Sequence, residues 1–238
     1  MGATAQEPAI VYEDDWLLAV DKPAGIIVHG DGTGAFTLTD AVRAHLEREG
    51  RLQASVQLQA VQRLDADTTG LVLFSLDKQI QPALDALIAS HTDIEKRYLA
   101  IVRGSVPVSL TRIDAPIVRD RHDARRMRVG TGKASKQATT LVRALDTTRK
   151  QGSVFTLLEL TLKTGRRHQI RVHLASRGFP IVGDPLYGNA TDRSGKVPLM
   201  LHAAAQTFTH PVTDERLALT APYPERFVPY FSRQHIES

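Results

Sequence analysis

Apolar residues fall along this chain in short runs broken by Gly, Pro and Asp, a pattern that favours many short strands over long helices. Ile10 to Val20 reads as two strands around the acidic turn Glu13-Asp14-Asp15, and Lys22-Pro23-Ala24-Gly25 stops the second. Leu38, Ala41, Val42 and Leu46 then share one face of a surface helix, with Thr37 or Thr39 as cap and Gly50 as stop. Leu71 to Leu76 is apolar at every position, as in a strand buried on both sides. A second helix follows, capped by Asp77 and burying Ile80, Leu84, Leu87 and Ile88. Tyr98 to Val102 is another strand, closed by Gly104 and Pro107. From Phe155 to Lys163, Thr156, Leu158, Leu160 and Leu162 alternate with Phe155, Leu157, Glu159, Thr161 and Lys163, again a strand. The segment from Gly165 to Leu174 begins as a turn and continues as a strand, with Ile170, Val172 and Leu174 on one face and Gln169, Arg171 and His173 on the other. These elements predict an α+β fold around a central mixed, mostly antiparallel sheet flanked by helices and loops. Residues 10–231 read as a single domain, with 1–9 and 232–238 as loose ends, and the chain has no internal repeat.

A chain of 238 residues, 42% hydrophobic and 24% charged, can bury a sizeable core. It contains no cysteine, which excludes disulfides, thiolate metal sites and a thiol nucleophile and suits a reducing compartment. The expected location is cytoplasmic, because no run reaches the ~18 apolar residues of a membrane span and the first eight residues lack the parts of a signal peptide. Net charge is +4, and the stretch from Arg119 to Lys133, with five Arg and one Lys against two Asp, carries as much by itself. Such a run is either a phosphate-binding surface or a solvated loop. The loop His29-Gly30-Asp31-Gly32-Thr33-Gly34 matches neither a nucleotide P-loop nor a dinucleotide fingerprint, so no nucleotide cofactor is expected.

Polar residues concentrate around Asp65 and between Lys163 and His173. An Arg between Ile170 and Val172 needs its charge matched, since an unpaired buried cation costs several kcal/mol. A carboxylate is the natural partner, and Asp65, in Gln62-Arg63-Leu64-Asp65-Ala66-Asp67-Thr68-Thr69-Gly70, is the attractive one. An Asp–Arg pair of this kind is either a structural bridge or a carboxylate kept ionised as a nucleophile. Asp67 reads as a turn residue. The nine histidines include no His-Glu-x-x-His helix, and no Gly-x-Ser-x-Gly elbow occurs, so neither a metal site nor a serine hydrolase is expected.

From Ile10 to about Tyr223 the chain resembles the RluA-type pseudouridine synthases. The resemblance runs through Tyr12-Glu13-Asp14-Asp15, Asp21-Lys22-Pro23-Ala24-Gly25, Arg63-Leu64-Asp65 with Thr68 and Gly70, and Lys96-Arg97-Tyr98-Leu99-Ala100. It continues through Gly165 to Leu174, Gly183-Asp184-Pro185-Leu186-Tyr187-Gly188, Leu201-His202-Ala203-Ala204 and Phe208-Thr209-His210-Pro211. It implies the pseudouridine synthase catalytic fold and an isomerase that acts on ribosomal RNA, most nearly that of the large subunit; alternatives are action on transfer RNA and an inactive RNA-binding member. Residue by residue, it implies Asp65 as nucleophile, Arg63 as the side chain that takes the place of the flipped uridine, Tyr98 as the stacking aromatic and Arg171 as the partner of the aspartate. Lys22, Arg166, Arg167 and the 119–133 run, including Arg125 and Arg126, are then expected on RNA phosphates. No metal, no cofactor and no membrane are implied, and a monomer is expected. Where the family usually has His before Arg-Leu-Asp this chain has Gln62, an amide that keeps a hydrogen bond but not a titrating group, and Thr69 stands where Ser is frequent. The stretch before Ile10 leaves no room for the S4 RNA-binding module that many relatives carry, so either target recognition falls to the catalytic domain or the sequence is a trimmed piece of a longer chain.

Overall fold

The computed structural model describes residues 7–30, 32–90 and 93–236. Of the expected loose ends, residues 1–6 and 237–238 lie outside the described residues, as does Asp31 of the glycine-rich loop. The chain forms two compact units, one made by the residues up to Glu95 together with Ala203–Pro222, the other by Lys96–His202 together with the residues from Tyr223 onward.

Along the chain the first unit supplies β1 (Ala9–Glu13), β2 (Leu17–Lys22), α1 (Leu38–Arg48), α2 (Leu52–Gln57), β3 (Gln59–Ala60), β4 (Thr69–Ser75) and α3 (Gln81–Ser90). The second unit's elements follow, the first of them a strand that begins two residues before the division: β5 (Ile94–Arg103), β6 (Arg112–Asp114), β7 (Ile117–Arg119), β8 (Met127–Val129), β9 (Thr139–Lys150), β10 (Ser153–Leu162), α4 (Gln169–Ser176) and α5 (Ala190–Arg193). β11 (Leu201–Thr209), from Ala203 onward, and β12 (Arg216–Thr220) then complete the first unit.

In the first unit β2 pairs antiparallel with both β1 and β4, in a register that sets Lys22 opposite Gly70. β4 is buried at every position because both faces of this sheet are covered. Leu18, Val20, Val72 and Phe74 pack against Leu38, Val42 and Leu46 of α1. Leu17, Ala19, Leu71 and Leu73 pack on the other side against Leu84 of α3 and Phe208 of β11. α1 begins in a capping box in which the Thr37 hydroxyl accepts from the Asp40 N–H and the Asp40 carboxylate accepts from the Thr37 N–H, which selects Thr37 over Thr39 as cap. Asp77 accepts instead from the Gln79 N–H, in the turn that leads into α3.

In the second unit β5, β10, β9 and β6 pair antiparallel in that order, and β7 and β8 form a separate two-stranded hairpin. Here one sequence expectation fails: Gln169–Ser176 is a helix, not a strand. Residues 169 to 174 are all buried, so apolar alternation carried no information about which face was out. The readable signal was the stop, because the Gly178 N–H bonds to the Ala175 carbonyl and the Phe179 N–H to the Leu174 carbonyl, with Gly178 at φ +83°.

Candidate active site

Asp65 lies half-buried in the first unit, in a loop between Val61 and β4. The loop turns tightly there, with the Thr68 N–H donating to the Asp65 carbonyl at 3.1 Å. It is braced from below by Lys22, whose ammonium is fully buried and donates to the carbonyls of Pro23 at 2.9 Å, Ile26 at 2.7 Å and Ala66 at 2.6 Å. The Ala66 carbonyl also accepts from the Gly25 N–H at 3.0 Å, so the Lys-Pro-Ala-Gly turn and the Asp65 loop are tied at one atom. Lys22 was expected on a phosphate. Burial and three internal acceptors give it a bracing role instead. Downstream of Asp65 the loop enters β4 through Gly70, at φ +105°, where a Cβ would stand 2.2 Å from the Ala203 carbonyl oxygen. Only glycine lets the two backbones approach this closely.

Arg63 is exposed, two residues before Asp65; desolvation, with a lesser contribution from the Arg63 charge, holds the His29 imidazole below its ordinary pKa. His29 and Arg43 line an open hollow of about 620 Å³ with the backbone of Gly30, Gly32 and Gly34. The Gln62 amide donates a long hydrogen bond, 3.4 Å, to the Leu71 carbonyl, which also accepts from Gln206 at 3.2 Å. Asp67 is exposed in the turn, as expected.

In the second unit Tyr98 sits on β5 opposite Leu160, 8% exposed. Lys96 lies two residues earlier on the same strand face, and burial lowers its pKa to about 8. Arg171, on α4, is 5% exposed, and within this unit its charge is matched by Asp184, where the sequence had offered Asp65 as the carboxylate. The guanidinium engages Asp184 through two bonds, Nε at 2.8 Å and Nη2 at 2.9 Å, and the same carboxylate accepts from the N–H groups of Leu186 and Tyr187. Asp184 belongs to the Gly183–Gly188 motif, yet its role was not read from the sequence because nothing there links it to Arg171.

Tyr187 is the other residue that sequence reasoning missed. Its hydroxyl accepts from the Met127 N–H at 2.7 Å and lies 2.8 Å from His168 Nδ1, and its ring carries the guanidinium groups of Arg126 and Arg171 at 5.2 and 5.4 Å. His168 takes a left-handed backbone conformation, φ +53°, as it leads into α4. The adjacent basic residues are braced by backbone carbonyls, Arg166 by Gln137 and Arg167 by Arg125, while Arg125 is exposed and doubly bonded to Asp123. Arg125, Arg126, Arg166 and Arg167 are thus brought together around the hairpin and the start of α4. Among the described residues no group of three or more His, Asp and Glu could hold a metal ion, and no helix is long and apolar enough to cross a membrane.

Residues 16–176 match the RNA pseudouridylate synthase family. The chain belongs to that family. Among curated members, ribosomal large subunit pseudouridine synthase D of Xanthomonas campestris pv. campestris is 39% identical over 229 residues, 91% of this chain and 66% of that one. The Bacillus subtilis protein YhcT, described as an uncharacterized RNA pseudouridine synthase, is 36% identical over 216 residues, 90% of this chain and 68% of that one. The chain therefore spans about two thirds of these relatives' length. Among solved structures, human RNA pseudouridylate synthase domain containing 4 superposes with a TM-score of 0.74 at 26% identity, covering 92% of this chain and 90% of that one. The pseudouridine synthase fold and the mostly antiparallel α+β architecture expected from the sequence are those observed.

Proposed function

We propose that this family member converts uridine to pseudouridine in large-subunit ribosomal RNA, with Asp65 as nucleophile. The observation that carries the reading is the presentation of Asp65: a half-buried carboxylate on a loop braced at Ala66 by a buried lysine and entering β4 at a glycine that admits no side chain. Such bracing fits a group that must be held in place for chemistry. The choice of RNA rests on the relatives named ribosomal large subunit pseudouridine synthase D.

In the reaction the N1–C1′ bond breaks, a C5–C1′ bond forms on the same uracil, the C5 proton leaves and N1 takes up a proton, so that product and substrate are isomers. Nothing is consumed, so a nucleophile, a stacking surface and a dry place to turn the base suffice. Asp65 attacks C1′ or C6, Tyr98 stacks on the uracil, and Arg63 fills the gap left by the flipped nucleotide, whose extrusion costs a few kcal/mol. Arg171, fixed by Asp184, is the basic residue that the family resemblance assigns to the aspartate. Arg125, Arg126, Arg166 and Arg167 contact phosphates, so binding weakens with salt by a slope of about 0.7–0.9 per contact.

The test is release of tritium from RNA labelled at uridine C5. Unmodified large-subunit ribosomal RNA should release label with the wild-type protein. Release from transfer RNA alone would move the assignment to that substrate, and RNA binding without release from either would leave a binding protein in place of the enzyme.

A further inference from the structure

We infer that Tyr187 is a positioning residue that couples the basic hairpin of β7 and β8 to Arg171, so that RNA held on the hairpin fixes the guanidinium. The inference rests on the reading of the chain as an RNA uridine isomerase and extends it to a residue that touches no substrate.

A two-stranded hairpin is at best marginally stable alone and depends on what it packs against. In this unit Ile117 from β7 and Met127 and Val129 from β8 pack with Val172 of α4 and with the Tyr187 ring. The strand is also tied by a backbone bond, the Met127 N–H to the Tyr187 hydroxyl at 2.7 Å. The same hydroxyl reaches His168 Nδ1 at 2.8 Å, which fixes its direction, and burial raises the phenol's pKa, so it stays protonated and can donate to that nitrogen. On the ring itself lie two guanidinium groups, one from the hairpin's basic segment, Arg126 at 5.2 Å, and one from α4, Arg171 at 5.4 Å. Asp184 holds Arg171 from its edge while accepting the backbone N–H of Tyr187. One aromatic side chain thus joins the element that carries the basic residues to the residue assigned to complement Asp65. Its two parts act separately: the hydroxyl holds the hairpin, the ring holds Arg171.

The separation makes the test. In Tyr187→Phe the ring stays and the Met127 N–H loses its acceptor, so affinity for large-subunit ribosomal RNA should fall about tenfold, the size of one buried hydrogen bond lost. Amide exchange at Met127 should speed up, while the single-turnover rate at saturating enzyme stays within about threefold, because no contact to reacting groups is removed. In Tyr187→Leu affinity falls similarly and the saturated rate drops by about a hundredfold, as expected when a group near the chemistry is displaced by an ångström. A residue that only fills space would lower both quantities in step with thermal stability, and that result, or an unchanged affinity in Tyr187→Phe, overturns the inference. If the wild-type protein releases no tritium from any RNA, the enzymatic reading fails, and the coupling is judged on exchange of the Arg171 Nε–H. RNA should slow that exchange in the wild type and not in Tyr187→Leu; no slowing in the wild type refutes it.

Discussion

Replacing Lys22 by Met tests whether this lysine braces the Asp65 loop or reaches RNA. The side chain is fully buried, and its ammonium donates to three carbonyls. Met keeps the length and apolar stem but offers no donor. Ala66 would retain its bond from Gly25, so the Pro23 and Ile26 carbonyls bear most of the loss. Each buried acceptor left without its donor costs about 1–3 kcal/mol, which places the destabilisation at about 2–6 kcal/mol; relief of the ammonium's own desolvation pushes it toward the lower end. Urea unfolding at constant m measures this directly. Because the brace supports the Asp65 loop, tritium release should slow as well, while the salt slope of RNA binding stays as in the wild type. A loss below about 1 kcal/mol together with a slope smaller by about 0.7–0.9 would show Lys22 on a phosphate and refute the bracing role.

Other positions give equally direct readings. Gly70→Ala adds both a strained φ of +105° and a Cβ at 2.2 Å from the Ala203 oxygen, so the loss in urea unfolding should reach about 3 kcal/mol or more; a loss within about 0.5 kcal/mol would mean that β4 can shift freely. Asp184→Ala removes both carboxylate bonds from a buried Arg171 and should cost about 3–5 kcal/mol, measured by thermal or urea unfolding, with Asp184→Asn falling between it and the wild type. His173 is fully buried between Thr140 and the Ala115 carbonyl, and burial holds its pKa below 6.5. The unfolded chain therefore binds the proton first, and stability should fall as pH drops through 6.5 toward the folded-state value. His173→Gln should flatten that decline in urea midpoints taken between pH 7.5 and pH 5; an unchanged slope would assign it to other groups.

Much of the first unit was legible because its pattern and its burial agree. Leu38, Val42 and Leu46 share a helical face and face the core, and the apolar run from Leu71 is covered on both sides as its composition implied. The α4 segment misled for the opposite reason. A helix buried at Gln169 to Leu174 has no polar face to mark its period, and β-branched Ile170 and Val172 favour a strand when read locally. Asp65 stood out by the polar stretch around it and Arg63 only through the family resemblance, and both lie in one loop. Asp184 and Tyr187 could not be given roles, since their partners Arg171, Met127 and His168 lie from 13 to 60 positions away along the chain. Lys22 was misassigned because a lysine beside Pro-Ala-Gly looks exposed, and only the fold shows three carbonyls converging on it.

Asp65→Asn tests the central claim most directly, because the amide keeps the size of the carboxylate and removes its nucleophilic charge. With C5-tritiated large-subunit ribosomal RNA, the wild type should release label while the variant, folded and binding RNA with similar affinity, should show no release above background. Release by the variant at a rate comparable to the wild type would contradict the assignment of Asp65 as the nucleophile.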